Sequence, residues 1–398
     1  VAFARIQLNA GRLAVCAAAH EVVQLLSDLI RIESVTPWLV PGGAGEAASV
    51  AHLASLLDQP GIEVEIEEVQ PGRPNLIATV RGREPGPTLC LNAHSDTVGY
   101  ENWRDEALVP RIDGDRLVGL GSCDDKAGCA AMVLTLRALA AQPPARGTFL
   151  AAFVADEEAL SVGTEHLVKR PGIDAAIVIE PHGLDEVVVA HQGFGWIDVI
   201  THGVAAHGSA PEQGIDSIAH MTEVIAGLRA LDRDVYATTS GLPCGKTVFH
   251  TSTIGGGTDY ATYPSRTTLG IEIGTQPGEK LAHRVAEIEA IFAAVAEREP
   301  GFRGEITVQL ERDPFTSAGH ERLLADLNAA FEAVRGQVPV EVGLNAWTDA
   351  ALLQSAGIPT VLIGPAGGNL HAPGEWVSIP EVTQLCSILE FTARTFLA

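Results

Sequence analysis

Short apolar runs that stop abruptly at an acid or a histidine recur along this chain. Thr88 to Val98 reads Thr-Leu-Cys-Leu-Asn-Ala-His-Ser-Asp-Thr-Val between Gly86-Pro87 and Gly99, which predicts a buried strand ending at His94 and Asp96. Phe149 to Ala155 ends in Asp156-Glu157-Glu158, and Ala175 to Ile179 ends in Glu180-Pro181. Thr360 to Gly364 is followed by a glycine-rich loop that carries His371. Further strands are expected at Ile62 to Glu67 and Asn75 to Arg81, with Pro71-Gly72 and Pro74 in the turn between them. Apolar residues at helical spacing predict helices over Glu21 to Arg31, Ala44 to Leu57, 126–142 and 161–169. Strands alternating with helices make an α/β fold with a doubly wound, mostly parallel sheet.

The middle of the chain has a different order. Strands are expected at Gly195 to Thr201, Thr247 to Ile254, Arg266 to Ile273 and Glu305 to Leu310, with helices at Asp216 to Leu231 and Leu281 to Glu297. That is β-α-β-β-α-β, a ferredoxin-like arrangement. It interrupts the first pattern, so an inserted domain of 192–312 is expected inside a discontinuous domain of 1–191 and 313–398.

Composition narrows the function. A net charge of −24 argues against nucleic acid and anionic membrane as partners and is compatible with a carboxylate-rich metal site. No run of about 18 apolar residues suggests a transmembrane helix. Leu13 to Ala19 is mildly apolar after Arg12, but it runs straight into a helix pattern and is not read as a signal peptide. The six cysteines (Cys16, Cys90, Cys123, Cys129, Cys244 and Cys386) form no Cys-x-x-Cys pair. Reduced, buried thiols in a cytoplasmic protein are expected, with Cys123 singled out beside Asp124.

The acids and histidines carry the chemistry. Ligands in open α/β sheets bind outside the carboxyl ends of the strands, where His94, Asp96, Glu157, Glu158, Glu180 and His371 are expected. Ser122-Cys123-Asp124-Asp125-Lys126 adds two acids before a helix of small residues. The spacing of His94 and Asp96 lets a carboxylate hold the far nitrogen of a metal-binding imidazole. A solvated loop would not select only Asp, Glu and His, whereas two divalent metals would.

Seven motifs occur in order: His94-Ser-Asp96-Thr-Val, Asp124-Asp-Lys126, Asp156-Glu157-Glu158, Glu180-Pro181, Ala206-His207-Gly-Ser, Gly357-Ile-Pro-Thr360 and His371-Ala-Pro-Gly-Glu375. From about residue 21 to the C-terminus the chain resembles the zinc metallopeptidases that include aminoacylases, acetylornithine deacetylase, succinyl-diaminopimelate desuccinylase and glutamate carboxypeptidases. The resemblance implies a two-zinc catalytic domain and an inserted lid that commonly makes a homodimer. It implies one zinc on His94 and Glu180, the other on Glu158 and His371, and Asp124 rather than Asp125 as the bridge. It implies that Asp96 orients His94, that Glu157 is the general base, and that His207 of the lid stabilises the oxyanion, often across the dimer. Cobalt or manganese would suit the same ligands.

Other residues carry no such context. His191, His202 and His250 are read as structural, and Gly255-Gly256-Gly257 as a turn. His182 is left as a residue that could line the pocket, and Trp347-Thr348-Asp349 as either a helix cap or a pocket wall.

The chain departs from its relatives where many of them bind a substrate carboxylate. The Asn after the lid's Gly-Gly falls at Ala261, and the Arg of the next strand at Gly274. Leu120 stands where an Arg usually precedes the bridging Asp. The expected function is hydrolysis of an N-acyl amino acid or related small amide. The alternatives are a dipeptidase or carboxypeptidase, a hydrolase of an amide or carbamoyl group without a free α-carboxylate, and a non-catalytic binding protein on the same fold.

Overall fold

The computed structural model describes residues 19–103 and 106–398, so Cys16 and most of the Leu13 to Ala19 run lie outside the described residues. The chain forms two compact units. The first comprises the residues through Val187 together with Ser317–Glu341 and Leu352–Ala398; the second comprises Val188–Thr316 and Val342–Ala351.

The first unit is an α/β layer structure. Its strands lie in the order Glu63–Gln70, Arg73–Arg81, Arg146–Val154, Glu84–His94, Ala175–Ile179, Thr360–Ile363. The first two pairings are antiparallel, and the last four strands run parallel. All five residues of Ala175–Ile179 are buried, as expected of a strand covered on both faces. Helix Ala19–Ile30 buries Val22, Leu25, Leu26, Leu29 and Ile30 along one stripe. Helix Lys126–Ala141 begins Lys-Ala-Gly-Cys-Ala-Ala, and every residue from Lys126 to Leu136 is buried. Two helices absent from the sequence reading, Glu321–Arg335 and Ile379–Phe396, complete this core through Leu323, Leu327, Phe331, Leu385, Ile388 and Leu389. A small antiparallel sheet, also unanticipated, joins Arg111–Asp113, Arg116–Val118, Trp376–Ser378 and Gly367–Gly368.

The second unit carries a four-stranded antiparallel sheet in the order Phe249–Gly256, Arg266–Thr275, Gly193–His202, Arg303–Arg312. Helices Ser217–Leu231 and Leu281–Ala296 supply its other layer. Ile197 and Val199, and Leu269, Ile271 and Ile273, alternate along their strands to meet Met221, Val224, Leu228 and Ile288 in one core. Sequence pattern assigned all of 313–398 to the first domain, but Val342–Ala351 groups with the second unit. There the Gln192 N–H donates to the Leu344 carbonyl at 3.1 Å, and Gly343 lies so close to the Pro243 carbonyl that a Cβ would meet it at 2.1 Å.

Candidate active site

Three adjacent parallel strands end on one edge of the sheet. His94 closes Glu84–His94, Asp156-Glu157-Glu158 follow Arg146–Val154, and Glu180 follows Ala175–Ile179. Asp124 comes from the loop before helix Lys126–Ala141, and His371 from the loop between Gly367–Gly368 and Trp376–Ser378.

The fold brings these side chains together. Asp124 lies between the two histidines, with Oδ1 2.9 Å from His94 Nε2 and Oδ2 3.4 Å from His371 Nε2. His371 Nε2 is 3.1 Å from Glu158 Oε2, and His94 Nε2 is 4.0 Å from Glu180 Oε1. The donor atoms of His94, Asp124 and Glu158 lie within 4.8 Å of one another, as do those of His94, Glu157 and Glu180. Asp125 turns away and caps the helix by accepting the Gly128 N–H at 3.0 Å.

The donor set fits divalent cations. His94 Nδ1 faces the main-chain carbonyl of Asp96 at 3.2 Å and its carboxylate at 3.5 Å. A proton on Nδ1 serves both and leaves the Nε2 lone pair directed at Asp124 and Glu180. Burial pushes the Glu158 carboxyl up, with Asp124 adding to it. Burial and then Glu157 push Glu180 well up. Glu158 Oε1 is buried without a hydrogen-bond partner. Imidazole nitrogens and carboxylate oxygens grouped in this way are the donor types that hold divalent cations.

Further buried contacts support the site. Asp96 accepts the main-chain N–H groups of Glu157 at 3.1 Å and Glu158 at 3.2 Å. Glu375 accepts the N–H groups of Gly121 and Cys123, each at 2.8 Å, and of Asp124 at 3.0 Å. Burial, then the Asp124 charge, push the Glu375 carboxyl up to about 7 against the pull of those amides. Lys126 is buried, donates to the Ile32 carbonyl at 2.9 Å, and is lowered to about 8 by that burial. Cys123 is buried, and burial pushes its thiol well up, so it is not poised as a nucleophile. The other described cysteines, Cys90, Cys129, Cys244 and Cys386, are likewise free and buried. His182 lies 2.7 Å from Glu186. His191 is buried and lowered to about 4 by its burial.

In the second unit His207 is exposed and pairs with Thr262 as an isolated bridge. Its Nδ1 accepts the Ser209 N–H at 3.2 Å and lies 2.8 Å from the Ser209 hydroxyl, which leaves Nε2–H as a free-facing donor. The Gly208 N–H donates to the Ala261 carbonyl at 2.7 Å, so Ala261 is tied to the His207 loop. Segments 203–216 and 257–265 contain Glu212, Asp216 and Asp259 and neither Lys nor Arg. At Gly274 a Cβ would meet Gln192 Oε1 at 2.4 Å. Gln192 is fixed there, accepting the Val248 N–H at 3.1 Å and donating to the Cys244 carbonyl at 3.0 Å. Its carboxamide therefore fills the space into which a side chain at 274 would grow.

The model of peptidase family M20/M25/M40 matches residues 90–395. N-formyl-4-amino-5-aminomethyl-2-methylpyrimidine deformylase of Bacillus subtilis is 27% identical over 406 residues, covering 93% of this chain and 93% of the relative. Acetylornithine deacetylase of Aliivibrio salmonicida is 26% identical, covering 93% of this chain and 97% of its own. The crystal structure of aminopeptidase PepT from Bacillus cereus superposes with a TM-score of 0.76 at 22% identity, covering 96% of this chain and 100% of that one.

Proposed function

The chain belongs to peptidase family M20/M25/M40, a family of amide-bond hydrolases, and on that premise we propose that it is a two-metal hydrolase of small N-acyl amides whose amine product lacks an α-carboxylate. The observation that carries the two-metal part is the placement of Asp124, one oxygen toward His94 and the other toward His371. His94 and Glu180 would hold one ion, His371 and Glu158 the other, with Asp124 bridging. Zinc suits this set, and cobalt or manganese are accepted by the same donors. Two bound cations supply Lewis acidity, polarising a carbonyl and lowering the pKa of water toward about 7.

The protein's own groups do the rest. Glu157 accepts the proton of the attacking water and returns it to the leaving nitrogen. Asp96 fixes the Glu157 and Glu158 amides and the His94 ring. His207 offers Nε2–H to the carbonyl oxygen as it gains charge, within one chain or across a homodimer formed through the second unit. The free, buried cysteines accord with a reducing cytoplasm. Among the described residues no helix is long and apolar enough to cross a membrane.

Substrate class follows from Gly274, Gln192 and the charges around His207. A carboxylate entering a partly dry site must be paired. Ala261 cannot pair it, Gln192 occupies the space at 274, and the segments flanking His207 bear only acids. Arg266 lies eight residues before Gly274, too far along the strand at about 3.3 Å per residue to replace it. The B. subtilis relative is named for a formylated aminomethylpyrimidine, which carries no carboxylate.

Two experiments test this reading. Metal-loaded protein is expected to hold two ions about 3.5 Å apart, and anomalous scattering that locates a single ion away from Asp124 refutes it. In a hydrolysis screen, N-formyl and N-acetyl amines are expected to exceed the matching N-acyl amino acids in kcat/KM. A preference for the free acid by about a hundredfold, worth about 2.7 kcal/mol, removes the substrate assignment while leaving the metal centre standing.

A further inference from the structure

The turn that presents Glu157 and Glu158 is gripped from behind by a buried arginine. Arg73 opens the strand Arg73–Arg81 and is only 7% exposed. Its Nε donates to Glu46 Oε2 at 2.5 Å, and its Nη2 donates to Glu46 Oε1, to Asp156 Oδ1 at 2.8 Å and to Thr36 Oγ1 at 3.0 Å. The Thr36 hydroxyl in turn donates to Asp156 Oδ1 at 2.6 Å, and the Asp156 N–H donates to Glu46 Oε1 at 3.2 Å. Thr36, Glu46 and Asp156 are all buried.

Asp156 is the residue at which the chain turns from strand to catalytic acids. It sits at φ 68°, a left-handed conformation uncommon outside glycine. Its carbonyl accepts the Ala159 N–H at 3.3 Å, and its Oδ2 accepts the Leu160 N–H at 3.3 Å, so the whole turn is wound around this residue. The next two N–H groups go to Asp96. The turn is thus pinned on one side by Asp96 and on the other by Arg73 with Glu46.

The oxygens of Glu46, Asp96 and Asp156 lie within 4.8 Å of one another, all buried. Within this cluster the guanidinium supplies the positive charge to Glu46 and Asp156. Nε and Nη2 together hold both oxygens of Glu46 while Nη2 also reaches Asp156 and Thr36, a two-nitrogen grip that the single nitrogen of a lysine cannot reproduce. We infer that Arg73 is a positioning residue, setting the Asp156-Glu157-Glu158 turn through its bonds to Asp156 and Glu46. This rests on the roles proposed above for Glu157 and Glu158.

The test compares the metal-loaded wild type with Arg73→Ala, Arg73→Lys and Glu157→Gln on an N-formyl amine that the wild type hydrolyses. Removing a group that orients an active centre typically costs about 10–100-fold. Arg73→Ala is expected to lose that much kcat with a smaller change in KM, and Arg73→Lys to fall between it and the wild type. Guanidinium ion at low concentration, with urea as control, is expected to restore part of the kcat of Arg73→Ala and none of that of Glu157→Gln. If Arg73→Ala does not fold, Thr36→Val takes its place: lowered kcat with a near-normal melting temperature supports the inference. Unchanged kcat in the folded variants, or a loss that only follows the unfolded fraction and ignores guanidinium, overturns it. Full activity in Glu157→Gln instead refutes the reading of the site, a separate outcome.

Discussion

Glu157→Gln is expected to fold, to bind metal like the wild type, and to lose turnover by about a hundredfold or more. General-base catalysis contributes about 10²–10⁴ in rate, and an amide of the same size cannot accept the water proton. The main-chain bond from Glu157 to Asp96 is untouched by the change, so the turn is retained. Glu158→Gln, one residue on, is expected to act differently. Its carboxylate faces His371, so metal occupancy falls together with activity. Measuring bound metal and kcat on both variants separates the roles. Near-normal turnover in Glu157→Gln moves the base elsewhere.

His207→Ala is expected to lower kcat by about 10²–10³, the range for loss of one oxyanion donor, while KM and metal content change far less. Because Nδ1 accepts the Ser209 N–H, the ring proton sits on Nε2, which makes Nε2 the donor. Weakened binding with unchanged kcat would make His207 a ground-state contact instead. A mixed dimer of His207→Ala and Glu157→Gln chains is expected to regain one working site if the histidine serves the neighbouring subunit. Absence of any recovery means it acts within its own chain.

The parallel strands were legible because each is short, apolar on both faces and ends in a chemical group. Ala175–Ile179 followed by Glu180 announces both a buried strand and an acid at its carboxyl end. The six elements of the second unit were legible from their order and periodicity. Strands of two or three residues, such as Gly367–Gly368 and Arg116–Val118, carry no period that a sequence can display. Helix Glu321–Arg335 carries a stripe at Leu323, Leu327, Ala330 and Phe331 in an otherwise polar segment. The supporting groups were hidden for another reason. Arg73 stands in a Pro-Gly-Arg-Pro turn, and its partner Asp156 lies 83 residues away. Glu375 is 251 residues from the Asp124 N–H that it holds. Partnerships of that range are made by the tertiary fold, and a single sequence carries no local trace of them. Gln192 behind Gly274 is the same case, where the missing side chain was visible and its replacement was not.

The first unit closes on residues from late in the chain. Thr360–Ile363 adds to the sheet beside Ala175–Ile179, His371 meets Asp124, and helix Ile379–Phe396 packs under the sheet, with the Arg146 N–H bonded to the Leu397 carbonyl at 3.1 Å. During translation, therefore, most of the second unit emerges while the first still lacks an interior strand, one histidine and a covering helix. At roughly 5–20 residues per second, the unfinished sheet waits about ten to forty seconds on the ribosome with the apolar edge of Ala175–Ile179 open. That interval is when chaperone capture has most to act on, and it ends before His371 has emerged to meet Asp124.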